Sequence, residues 1–172
     1  MPNLTYNIKL KFSSKEDECL MIQTLLEHQK VWNYLSEYVY KSKNIDKKLI
    51  HDKNYHTCRK IFPNAPSQII IRAKDSVYAT YKTIKSNKKL SKISKACTQT
   101  NLSIRLDKRL YKFLDNNQIK FTTIEKRITA NYIPYPKFSE MIGKYNTCDP
   151  LIYMKNNETW LSVSFEVPNQ CI

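Results

Sequence analysis

The hydrophobic pattern changes period twice along the chain. Residues 5–12, TYNIKLKF, alternate. Tyr6, Ile8, Leu10 and Phe12 point one way and Asn7, Lys9 and Lys11 the other, which predicts a half-buried strand. From there the spacing becomes three to four. Met21, Leu25, Trp32, Leu35 and Val39, widened by Ile22 and Leu26, form the stripe of a long helix running to about Lys43. Ser13 or Ser14 is placed to cap it, and Glu16, Asp17 and Glu18 suit its positive N-terminal end. After a polar break, SKNIDKK, a second helix is predicted over about 47–61, carrying Leu49, Ile50, Cys58 and Ile61. It ends at Phe62–Pro63. The stretch from Pro63 to Lys95 holds a third helix, in which Ile70, Ala73, Val77, Tyr81 and Ile84 share one face. Pro66 suits its first turn and Ser67 can cap it.

Alternation then returns. NLSIRL (101–106) and KRITANYIP (126–134) read as strands, and KFLDNNQIKF (112–121) as a hairpin about Asn116–Asn117. Residues 136–142 suit one helical turn. PLIYMK and TWLSVSFEV form a second hairpin about Asn156–Asn157. The first strand must pair with this later set, because a lone strand is not stable. The predicted fold is therefore α+β: a small β-barrel interrupted after its first strand by a three-helix insertion. The expected divisions are the first barrel strand at 1–12, the helical insertion and basic linker at 13–95, and the remainder of the barrel at 96–172.

Composition narrows the function classes. The chain has 172 residues, 41% of them hydrophobic, enough to bury a core as one domain or two small ones. No apolar run approaches the roughly 20 residues that span a bilayer. The opening MPNLTYNIKLKF lacks the apolar core of a signal peptide, so a cytoplasmic protein is expected. Cys19, Cys58, Cys97, Cys148 and Cys171 are scattered without a CxxC pair, and His28, His51 and His56 form no ligand cluster. No metal site is expected, nor any cofactor, and the thiols should be reduced and mostly buried. Gly143 is the only glycine, which excludes glycine-rich phosphate loops. Turns with positive φ must then fall to Asn or Asp.

Charge changes the picture most. With 29 basic and 15 acidic residues, the net charge is +14. A polyanion is the natural partner, and nucleic acid suits it better than a membrane, since 12 tyrosines interleave with the basic residues and can stack on unpaired bases. Arg72, Lys74, Lys82 and Lys85 lie off the apolar spine of the third helix. Lys88, Lys89, Lys92 and Lys95 continue the charge past its end, and no acidic residue occurs between Asp75 and Asp107. Such a helix can dock on a core and still offer charge to a polyanion. The competing reading is a solvated face beside a flexible basic linker.

One ordered set of segments resembles a known family. YNIKLKF, the long helix with VWNYL, FPNAPSQIIIRAKDSVYATYK, TQTNLSIRL and the final WLSVSFEVP follow the order and spacing of the N-terminal half of the TnpB (OrfB) family. These are transposon-encoded, RNA-guided nucleases. The resemblance implies a wedge β-barrel with an inserted recognition lobe, a guide RNA and double-stranded DNA as partners, and contacts to a short DNA motif beside the target. Matching PSQIIIR and TQTN carries that motif-reading role to Ser67, Gln68, Ile71, Arg72, Thr98 and Gln99. Lys82, Lys85, Lys88, Lys89 and Lys92 would meet phosphates or RNA. The family continues into a RuvC-like nuclease and a zinc ribbon, whereas this sequence runs to Ile172 without either. The expectation is a binding module with no nuclease and no catalytic residues of its own. The alternatives are one part of a split or truncated endonuclease completed by a separately encoded RuvC-like half, and a DNA-binding repressor remnant.

Overall fold

The computed structural model describes residues 3–168. The elements in order are β1 (Asn3–Phe12), α1 (Lys15–Ser42), α2 (Lys47–Ile61), α3 (Ser67–Ser86), a 3-10 turn (Leu90–Lys92), β2 (Ser103–Arg105), β3 (Tyr111–Leu114), β4 (Gln118–Thr122), β5 (Arg127–Tyr132), α4 (Pro136–Met141), β6 (Leu151–Lys155) and β7 (Glu158–Glu166). The chain is α+β and divides into two compact units. One comprises the residues up to Met21 and from Ser103 onward, and the other is Ile22–Leu102. The helix α1 runs through both.

The first unit is a seven-stranded antiparallel sheet in the order β2-β6-β7-β1-β5-β4-β3. It is not the barrel that the alternation predicts. Among the described residues the edge strands β2 and β3 do not pair, so the sheet stays open. The middle strand β1 is shared between two neighbours. Its residues Asn3–Lys9 pair with β7, and only Leu10–Phe12 pair with β5. The edge strands are short, of 3 and 4 residues, and each pairs on one side only. The short helix α4 packs on the apolar face of the sheet. Its Phe138 is wholly buried and meets the rings of Tyr6, Phe113, Tyr132 and Phe165, on β1, β3, β5 and β7, edge-on at 5.6–6.3 Å. Alternation sets which residues do this: in β7, Thr159, Leu161, Val163 and Phe165 are buried, and the residues between them are not. Both hairpins turn on asparagine pairs, Asn116–Asn117 and Asn156–Asn157, with φ between 52° and 60°. That is the conformation that two-residue turns with a right-handed strand twist require.

The second unit packs α1, α2 and α3 around Trp32, Leu35, Val39, Ile50, Cys58, Ile70, Ala73, Val77 and Tyr81. Asp46 caps α2, its carboxylate accepting the Leu49 N–H at 2.7 Å. The predicted stripes hold at their centres and fray at their edges: Leu26 and Ile61 are exposed. Two further expectations need correction. Positive φ is not confined to Asn and Gly143, since Lys43 and Lys88 also adopt it where α1 and α3 end. Among the described residues the cysteines form no disulfide and are not mostly buried. Only Cys58 is buried, its thiol pushed up to about 11 by desolvation, whereas Cys97 and Cys148 are half-buried and Cys19 is exposed. Cys171 lies outside the described residues.

Candidate nucleic-acid interface

The predicted DNA-reading residues sit on two segments of the helical unit. Four open α3. Pro66 is the N-cap itself, with φ −54° and ψ 145°, and no side chain caps the helix. This corrects the expected start. Ser67 is already helical, so its hydroxyl cannot reach back to the free amides one turn on, and it is exposed. Gln68 and Ile71 are half-buried. Gln68, Arg72 and Asp75 follow one another at helical spacing on the same side of α3. The Arg72 guanidinium stands 3.6 Å from the Asp75 carboxylate, which also takes Lys47 at 3.1 Å and Lys74 at 3.3 Å. One buried-side carboxylate therefore gathers three cations.

The other two residues, Thr98 and Gln99, lie on an irregular segment strapped to the helices by side chains. The Asn33 side-chain oxygen accepts the Gln99 N–H at 2.8 Å, and the Gln29 amide donates to the Gln99 carbonyl at 2.7 Å. The Ser36 hydroxyl donates to the Cys97 carbonyl at 2.6 Å, and the Cys97 N–H donates to the Tyr81 hydroxyl at 3.1 Å. Thr98 is exposed and Gln99 half-buried between these straps.

The two segments meet at a residue the sequence reading left aside. His28 on α1 is buried, and its Nδ1 has no hydrogen-bond partner. Desolvation lowers its pKa to about 4; the Gln99 side chain opposes the fall and the Arg72 charge adds to it. The imidazole is therefore neutral at physiological pH. Arg72 and Gln99 are thus brought to one place, with Thr98 beside them. Of the predicted residues, Ser67 and Thr98 are exposed and Gln68 is half-buried. The signal for His28 was present: Thr24, His28, Trp32 and Ser36 recur every four residues, and all are buried. Polar residues in the register of an apolar stripe mark positions that must be satisfied from another element.

The charged segment follows at the other end of α3. Lys82, Lys85, Lys88, Lys89, Lys92 and Lys95 are all exposed. None of these six belongs to an ion pair among the described residues, whereas Lys9, Lys30, Lys41, Lys47, Arg72, Lys74 and Lys126 do. Lys82 instead lies 5.6 Å over the Tyr78 ring. The segment is not an unstructured linker, because the 3-10 turn at Leu90–Lys92 interrupts it and Leu90 and Ile93 pack on the helical core.

The sheet unit carries its own cleft, of about 950 Å³, at the point where β1 passes from β7 to β5. Phe12, Tyr132, Tyr135 and Trp160 line it together with Lys9, Lys11 and Lys15. Lys9 pairs with Glu158 there. Rings beside ammonium groups form a surface on which bases can stack while phosphates are neutralised. Sequence alternation placed Lys9 and Lys11 outward without showing that they border a cleft.

Among the described residues no three His, Cys, Asp or Glu side chains converge to hold a metal ion. No helix there is long and apolar enough to cross a membrane. No family model matches the chain, and no curated protein proves similar to it.

Proposed function

We propose that this chain is a nucleic-acid-binding module. The observation that carries the reading is the run of six exposed lysines from Lys82 to Lys95, none engaged by a carboxylate. Mutually repelling cations held without counter-charge are a standing cost that a polyanion relieves. The lysine–aromatic cleft of the sheet unit supports single-stranded contacts as well.

The finer reading rests on the resemblance in segment order to the N-terminal half of TnpB proteins. In it the chain holds a guide RNA and a short target-adjacent DNA motif, contributes no nuclease, and leaves cleavage to a RuvC-like partner. Ser67, Gln68 and Thr98 would face the DNA, while Lys82, Lys85, Lys88, Lys89 and Lys92 would bind phosphates. Ile71, Arg72 and Gln99, held further in, would set the position of those side chains. The test has two stages. Binding of the purified protein to duplex DNA and to RNA is measured across a salt series, and log affinity is expected to fall linearly with log salt. Affinity independent of salt would overturn the nucleic-acid reading. RNA co-purifying with the protein from its native cells is then sequenced. One dominant structured species supports the guide; a random sample of cellular RNA removes it.

A further inference from the structure

Among the described residues six non-glycine residues have positive φ, and four of them are the hairpin asparagines. The other two are Lys43 and Lys88, at φ 55° and 54°. Left-handed backbone suits Gly and Asn and disfavours a residue with a long side chain. The chain therefore uses the easy residue in both hairpins and the disfavoured one where α1 and α3 end. These two lysines are not scattered. They line one cleft of about 490 Å³ together with Leu90 and Ser91. Each closes the end of its helix: the Lys43 N–H donates to the Val39 carbonyl at 3.0 Å and the Lys88 N–H to the Lys85 carbonyl at 3.0 Å. The Lys43 ammonium lies 3.7 Å over the Tyr40 ring. Neither lysine belongs to an ion pair among the described residues. We propose that this cleft anchors a phosphodiester of the bound nucleic acid, gripped between Lys43 and Lys88 with the Ser91 hydroxyl as a neutral donor. The proposal deepens the nucleic-acid reading above and rests on it. Its new element is Lys43, which lies 45 residues before Lys88 in sequence and outside the charged run.

A purely local role predicts something different. A lysine after a helix offsets the negative end of the helix dipole, and that gain is independent of any ligand. The double variant Lys43→Asn/Lys88→Asn separates the two roles, because Asn accepts the backbone and lacks the charge. We expect it to melt no lower than the wild type. Its affinity for duplex DNA of any sequence should fall several-fold near 0.1 M salt, and its log–log salt slope should be shallower by about 1 to 2. A charge-matched control, Lys53→Asn/Lys60→Asn on the exposed side of α2, should keep the wild-type slope. Salt-dependent binding by the wild type with the same affinity and slope in the double variant overturns the cleft alone. An equal loss in the control overturns it too. Stabilisation of the wild type by inorganic phosphate, lost in the variant while DNA affinity holds, assigns the cleft to a free anion and overturns it. Absence of any nucleic-acid binding by the wild type overturns the cleft together with the reading it rests on.

Discussion

The hydroxyls of Ser36 and Tyr81 meet at 2.9 Å in the centre of the helical unit, and together they hold the backbone at Cys97 by both its N–H and its carbonyl. Tyr81 also donates to the Ser36 carbonyl at 3.1 Å. Tyr81 is wholly buried, and desolvation raises its pKa. A helix residue, a residue two helices away and the segment bearing Thr98 and Gln99 are thus joined through two oxygens. The polar segment after the lysine run is located by this joint.

Removing one of those oxygens should be costly. Tyr81→Phe keeps the ring but strands the Cys97 N–H, and a buried polar group left unpaired costs about 1–3 kcal/mol. Denaturant unfolding should show a loss in that range, with hydrogen exchange at residues 97–99 accelerating more than in the sheet. Unchanged stability would mean that solvent satisfies the amide.

His28 should make stability depend on pH. Its folded pKa of about 4 lies below the ordinary 6.5. Above about pH 6.5 neither state carries the proton. As pH falls from there toward 4, the unfolded chain takes up a proton that the folded chain refuses, so stability declines. Below about 4 the folded imidazole protonates too and the decline from this group ends. A shift of this size corresponds to on the order of 3 kcal/mol. Unfolding free energies measured between pH 4 and 7.5 should show this loss in the wild type and a flatter profile in His28→Gln. Identical profiles would refute the assignment.

The sheet unit should depend on one residue of α4. Phe138→Ala removes the ring that four other rings enclose, and buried Phe→Ala changes cost about 3–5 kcal/mol. Phe138→Leu, which refills most of the volume, should lose far less. A loss below about 1 kcal/mol for the alanine variant would show that the sheet closes over the gap.

Base reading and phosphate binding should separate by variant. Gln68→Ala is expected to weaken binding to the preferred motif by about 1–3 kcal/mol and to relax the preference there. Lys85→Ala with Lys89→Ala should weaken binding to all sequences alike and flatten the salt slope. Competition assays with matched and scrambled duplexes distinguish the two. A Gln68→Ala protein with intact fold, unchanged affinity and unchanged preference would remove the motif-reading role from α3.

Elements with a strong period were legible from the sequence. The second helix runs over 47–61 as its apolar positions predict, and the asparagine pairs turn where expected. Closure was not legible. It depends on strand order and register, and alternation leaves register free to slide in steps of two. The positions of Arg72 and Gln99 could be listed from the sequence, but not their meeting at His28, because a single buried histidine has no periodic signature apart from its stripe. The left-handed backbone at Lys43 and Lys88 escaped for a local reason. A left-handed lysine breaks the residue preference by which such turns are recognised.

The pairing of β1 with β7 also bears on the order in which the protein can be made. Its two strands are separated by most of the chain: Tyr6 opposes Val163 and Ile8 opposes Leu161. On a ribosome the helical residues emerge long before that partner exists, and their mostly local contacts allow early structure. The first strand must wait, uncovered, for the last. Lys9 and Lys11 along its solvent side discourage a nascent strand from pairing with a neighbouring copy. Replacing both by threonine would leave the finished fold nearly unchanged and expose its synthesis to aggregation.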